Sequence, residues 1–202
     1  MEDLNPPANL KLYLARDFLD LRTCADLMDA AQHAPTTQAP VYIEGESGHI
    51  HETIRRTTSF HPDDQWFTSI HSRLLEQKPF LEDHFGRPLI TCERPQFLHY
   101  REGDFFVRHQ DGNTHQLDFD HLRVRLISIV VFLNGYSNKL ESNTFAGGQL
   151  NFYDKDYAAG AEPLLFSLQG EPGLLVAFMA DTMHEVRPVI RGERFTIISW
   201  FK

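Results

Sequence analysis

The chain has no run of about 18 apolar residues, so none of its helices can be expected to span a bilayer. It has only two cysteines in 202 residues, Cys24 and Cys92. Two so far apart make neither a disulfide framework nor a zinc knuckle, and a reducing, cytoplasmic setting is the simplest expectation. The start, Met1-Glu2-Asp3-Leu4-Asn5-Pro6-Pro7, lacks the basic end and apolar block of a secretory signal. Internal repeats, low-complexity tracts and Gly/Ser linkers are missing as well. Lys and Arg number 19 against 28 Asp and Glu, a net charge of -9 with no basic stripe. That balance disfavours nucleic acid and other anionic polymers as partners, and no membrane partner is expected.

The composition, 42% hydrophobic and 23% charged, is that of an ordinary globular chain. The length suits one domain, 1–202, and leaves the oligomeric state open. A first helix is expected from Asp20, a capping residue, with Leu21, Cys24, Leu27, Met28 and Ala31 at helical spacing, ending before Pro35. Thr36 to Gly48 reads as a loop with a short apolar piece, and Thr53 to Phe60 as one strand carrying Arg55 and Arg56. A second helix is expected from Pro62-Asp63-Asp64, with Trp66, Phe67, Ile70, Leu74 and Leu75 as its apolar stripe and Gly86 beyond its end. From Pro88 the period becomes strand-like. Candidate strands are 96–100, 105–110, 123–134, 148–153, 164–168, 173–178, 183–189 and 194–201. Helices first and a sandwich or barrel of short antiparallel strands after them define the expected class, mainly β (α+β). Residues 1–93 would be a helical and strand support region and 94–202 the core.

Eleven histidines are more than usual, and the pattern His-x-Asp occurs twice. His61-Pro62-Asp63 lies at a helix start, where aspartate has a structural use as a cap. His49-Ile50-His51 is a further pair, in a Gly-rich loop without an obvious third partner. His99, His115 and His121 read as structural or exposed. His109-Gln110-Asp111 ends a strand, where side chains two apart share a face, and His184 begins another strand. Two neutral imidazoles and one carboxylate form the facial triad that suits non-haem Fe(II), leaving positions for a bidentate cosubstrate and O2. Alternation over the last strand puts Arg194, Thr196, Ile198 and Trp200 on one inward face. An inward arginine needs an anion, either a protein carboxylate or a bound dicarboxylate gripped by its two-pronged fork.

The segment Tyr100 to Asp111, the run Val130-Val131-Phe132-Leu133-Asn134, the turn Gly147-Gly148-Gln149-Leu150, and His184 to Val189 followed by Gly192 to Phe195 together resemble the Fe(II)- and 2-oxoglutarate-dependent dioxygenases. The prolyl 4-hydroxylases are the branch that looks closest. The resemblance is strong over about 94–202 and looser over the N-terminal helix and Ile54–Thr58. It implies a double-stranded β-helix, a jelly-roll core with the N-terminal helices packed on it. By position, His109, Asp111 and His184 match the iron ligands and catalytic centre, Arg194 the residue pairing with the distal carboxylate of 2-oxoglutarate, and Tyr100 a tyrosine lining that pocket. Thr196 could add a hydroxyl. Phe132 stands where some relatives carry a second tyrosine, leaving the carboxylate one donor fewer. Arg123, Arg125 and Trp200 are candidate substrate residues at the mouth, flanked by the loops 36–51 and 136–147.

The implied cofactors are Fe(II), 2-oxoglutarate as cosubstrate and O2, with ascorbate as a further factor. The implied activity is hydroxylation of an unactivated C–H bond, of a prolyl residue in a peptide or protein first of all. A free amino acid or small natural-product substrate is the alternative within this chemistry. A cupin-like metal-binding protein without oxygenase activity is the alternative from another class.

Overall fold

A computed structural model describes residues 5–43, 46–49, 51–112, 125–139, 141–154 and 163–202, with the backbone alone for 41–43 and 46–49. Two antiparallel sheets dominate it. The larger has seven strands in the order β1 (Leu12–Ala15), β14 (Leu175–Met179), β9 (Ile127–Phe132), β17 (Arg194–Phe201), β7 (Gln96–Tyr100), β6 (Thr58–Phe60) and β2 (Thr36–Gln38). The smaller has five, β13 (Leu164–Leu168), β12 (Leu150–Tyr153), β15 (Met183–Val186), β8 (Phe105–His109) and β5 (Arg55–Arg56). The strands β10 (Gly135–Tyr136), β11 (Thr144–Gly147) and β16 (Val189–Gly192) make a third sheet, and β3 (Val41–Ile43) with β4 (Glu46–His49) a hairpin.

Side-chain alternation on the large sheet separates two cores. From β9, Ile127, Ile129 and Val131 join Phe97, Ile197 and Phe201 in a cluster with the helices α1 (Leu21–His33) and α2 (Asp64–Phe85). From the opposite face, Val130 and Phe132 join Leu98, Tyr100, Phe152, Phe178 and Val186, filling the space toward the small sheet. The helices therefore cover one face of the large sheet, and the other face looks inward. Asp20 caps α1 by accepting from Thr23 N at 2.7 Å and Thr23 Oγ1 at 2.9 Å. Gly86 ends α2 at φ 67°, the left-handed geometry glycine adopts without cost.

Several expectations are corrected. Thr36 to Gly48, expected as a loop, contains paired strands: β2 pairs with β6, and β3 with β4. Thr36–Gln38 is polar and exposed, so backbone pairing rather than apolar alternation makes it a strand. The single strand expected over 53–60 breaks at Thr57, and its halves go to different sheets. Likewise 183–189 divides at Arg187-Pro188, where proline offers no N–H to a ladder. Residues 136–147 contain β11, which pairs with β16. Asp63 occupies the N-cap position of α2 without a side-chain capping bond. Leu21 and Leu75 point outward, 70% and 41% exposed. Strands β1, β2, β5 and β6, all from residues before 94, join both major sheets.

Candidate functional site

The small sheet brings the two histidines together. His109 ends β8, His184 is the second residue of β15, and the two are direct partners in the antiparallel register. Their ring centres lie 4.2 Å apart. Asp111 follows β8 in a turn whose backbone is tied down: Asp111 N and Gly112 N both donate to the Ala180 carbonyl, at 2.9 and 3.0 Å. Candidate ligand atoms of His109, Asp111 and His184 all lie within 4.8 Å of one another.

The hydrogen bonds on the far sides of the rings decide what these atoms offer. His109 Nδ1 donates to the Val107 carbonyl at 2.8 Å, and His184 Nδ1 to the Thr182 carbonyl at 2.9 Å. A carbonyl only accepts, so each Nδ1 carries the proton. Burial, and His109 beside it, push His184 down to about 4, so at neutral pH its Nε2 presents a lone pair. Burial disfavours charge on Asp111, but His184 and His109 when protonated, and the Ser128 hydroxyl, outweigh it and hold the carboxyl well below its usual range. Ser128 Oγ donates to Asp111 Oδ2 at 2.7 Å. Asp111 Oδ1 then stands 3.4 Å from His109 Nε2, and Oδ2 3.6 Å from His184 Nε2. Imidazole lone pairs facing a carboxylate at that range repel unless a cation sits among them. The donor set, two nitrogens and one carboxylate on one side, fits a ferrous ion.

These residues open on a cavity of about 260 Å³ that also receives Tyr100, Thr196, Ile198, Trp200, Arg125 and Arg194. Arg194 opens β17, paired with Tyr100 of β7, and is 1% exposed. Its Nη1 donates to Thr196 Oγ1 at 3.3 Å, while Nε and Nη2 have no partner. The guanidinium stands 5.0 Å from the ring of Tyr100, 4.9 Å from Phe132 and 6.0 Å from Phe145. Burial pushes it down to about 10, which leaves it charged at neutral pH. No acidic group of the described residues pairs with it, so of the two anions weighed for it, the bound dicarboxylate fits. Gly148, at φ +63°, packs where a Cβ would come 3.0 Å from Arg194 Cδ.

The mouth residues fare differently. Arg125 donates from Nε and Nη2 to the two Glu93 oxygens at 2.9 and 2.7 Å, and lies 3.5 Å from the ring centre of Trp200. Trp200 Nε1 is buried without a partner. Arg123, His115 and His121 lie outside the described residues. His61 is remote from the cluster and meets Thr37 Oγ1 at 3.0 Å; His99 is held by Glu193 at 2.9 Å. Sequence reasoning missed Ser128, Phe106, whose ring stacks on His109 at 3.5 Å, and Arg55, which lines the same cavity. A lone hydroxyl inside the buried run Ile127–Phe132 was the available signal for Ser128.

Known proteins agree with this geometry. The family model described as the 2OG-Fe(II) oxygenase superfamily matches residues 95–202. A PKHD-type hydroxylase of Shewanella oneidensis is 28% identical over 170 residues, 81% of this chain and 68% of that protein. Others from Paraburkholderia xenovorans and Cupriavidus pinatubonensis are 31% and 28% identical over 109 residues, 54% of this chain; the aligned part is 42% of each of those proteins, less than half. Among solved structures, a Pseudomonas putida prolyl-4-hydroxylase superposes with a TM-score of 0.64 at 22% identity, over 96% of this chain and 94% of that one. A prolyl hydroxylase from Trichoplax adhaerens, in complex with a hypoxia inducible factor peptide fragment, gives 0.66 at 17%, over 95% and 83%. At these identities the likeness is one of fold, the jelly-roll of mostly antiparallel strands expected from sequence. The fold is shared with prolyl 4-hydroxylases, and the chain belongs to the 2OG-Fe(II) oxygenase superfamily, the 2-oxoglutarate-dependent dioxygenases.

Proposed function

We propose that this chain hydroxylates an unactivated C–H bond with Fe(II), 2-oxoglutarate and O2, and that a prolyl ring in a peptide or protein is the first substrate class to test. The unpaired, buried guanidinium of Arg194 beside the His109–Asp111–His184 cluster carries this reading. A plain cupin-like metal site has no need of a buried cation awaiting a dicarboxylate. The prolyl assignment is supported by the fold shared with prolyl hydroxylases.

In this reading His109 Nε2, Asp111 and His184 Nε2 hold the metal. When bound, iron with 2-oxoglutarate and O2 supplies the oxidising power for hydroxylation, with succinate and CO2 as co-products. The residues of the chain bind, orient and exclude. Arg194, with Nε and Nη2 unpartnered among the described residues, would hold the distal carboxylate, with Thr196 and Tyr100 beside it in the cavity. Ser128 keeps Asp111 charged and turned inward. Phe132, in place of a second tyrosine, leaves that carboxylate dependent on Arg194. Trp200 and Arg125, locked together by Glu93, form a wall for substrate, with Trp200 Nε1 as a free donor. Ascorbate as an accessory reductant, and a reducing cytoplasmic setting for the two free cysteines, belong to the same proposal.

The test is incubation with Fe(II), 2-oxoglutarate and candidate substrates, followed by succinate and by mass. Succinate together with a product one oxygen atom heavier is the expected result. No succinate under any condition, with iron taken up, would favour the metal-binding alternative.

A further inference from the structure

Three arginines are buried among the described residues, Arg55, Arg125 and Arg194, and all three line the same cavity. Arg125 has a protein carboxylate, from Glu93. Arg194 has none, and its anion in the function proposed above is 2-oxoglutarate. Among the described residues Arg55 has none either. Its Nη1 donates to the Pro40 carbonyl at 3.2 Å, its guanidinium stands 4.9 Å from the Phe106 ring centre, and its Nε is buried without a partner. A carbonyl and a ring face do not neutralise a buried guanidinium, and such a charge is costly until an anion joins it. Glu52 lines an adjoining pocket with Arg55, yet it is exposed and engaged by Gln38 Nε2 at 2.9 Å. Phe106 stacks on His109, so the unmatched cation stands one ring away from the metal cluster.

We infer that Arg55 binds a carboxylate carried by the substrate itself. The inference rests on the function proposed above and narrows its substrate class. Formal charge points the same way. A ferrous ion with Asp111, Arg55 and Arg194 leaves three positive charges, and the 2-oxoglutarate dianion removes two. A substrate bearing a single negative charge removes the last. The cavity, about 260 Å³, lies just under the roughly 300–1,000 Å³ of ordinary small-molecule sites. The substrate is therefore a small carboxylic acid, such as an N-acylated amino acid or the C-terminal residue of a peptide, whose reacting carbon lies a few bonds from the carboxylate. An internal residue of a protein presents a neutral amide at that point.

The test is isothermal titration of the full chain loaded with Mn(II) and 2-oxoglutarate under nitrogen. The probes are a panel of N-acetyl-L-amino acids, proline included, and their matching amides. At least one acid should bind about tenfold or more tightly than its amide, the worth of a charge-assisted hydrogen bond. Arg55→Gln should abolish that difference with 2-oxoglutarate affinity unchanged, and Arg55→Lys should keep part of it. Acids and amides binding alike, or a preference that survives Arg55→Gln, overturns the inference while leaving the oxygenase reading intact. A wild type that takes up neither Mn(II) nor 2-oxoglutarate sinks the metal-site reading, and this inference with it.

Discussion

At the scale of single residues, the far side of each ligand matters as much as the ligand. Both imidazoles are oriented by backbone carbonyls two residues earlier in the chain, so strand geometry sets their tautomer. His109→Ala and His184→Ala should each abolish tight Mn(II) uptake in a titration while the circular dichroism of the barrel persists. Ser128→Ala leaves all three ligands in place but removes the hydroxyl from Asp111. It should weaken metal affinity by roughly 10–100-fold, the usual cost of losing a supporting partner, and unchanged affinity would deny Ser128 that role. Arg194→Ala should weaken 2-oxoglutarate binding far more than Mn(II) binding. His61→Ala, at the other His-x-Asp, should change neither.

At the scale of elements, a period of two divides the labour on β9 and β17. One face packs on α1 and α2, and the other carries Arg194, Thr196 and Trp200 to the cavity and Ser128 to Asp111. The helices serve as a support that keeps the large sheet dry on its outer side. Leu74 is fully buried there, whereas Leu75 is not. Leu74→Ala should cost about 2–5 kcal/mol in denaturant unfolding. Leu75→Ala should stay within about 0.5 kcal/mol. Equal costs would mean that α2 is rotated from the face described. In the turn between β11 and β12, a side chain at Gly148 would press on Arg194 and strain a positive φ. The Gly-Gly turn thus shapes the anion slot although it touches no ligand atom of the metal cluster.

At the scale of the whole molecule, the site exists because two sheets meet. The small sheet brings His109 and His184, the large sheet brings Ser128 and Arg194, and Asp111 spans them. Glu93, joined to Arg125 and Lys202, fastens the end of the large sheet beside the cavity. Burial raises the Glu93 carboxyl, but the hydrogen bonds from Arg125 and the charge of Lys202 outweigh it and hold it below its ordinary 4.5. A carboxylate depressed on folding stabilises above its unfolded value, and that contribution is lost as pH falls through the folded one. Thermal melts should therefore show an acid limb beginning near 4.5 and steepening below it, and Glu93→Gln should flatten that limb. A limb of unchanged slope in the variant would place the acid sensitivity elsewhere.

The local facts were open to reading in the amino acids alone. The strand 96–100, the strand 194–201 with its inward Arg194, both helices and the His109–Asp111 pair follow from periodicity, caps and spacing, because these depend on neighbours along the chain. Residues 36–38 and 144–147 are strands for a different reason. Their partners supply the hydrogen bonds, and nothing in Thr36-Thr37-Gln38 announces β6. Arg125 and Arg55 look alike as charged residues near strand starts. Only the folded chain gives Glu93 to one and, among the described residues, leaves the other without an acid, since ion pairing depends on distances that no local pattern encodes.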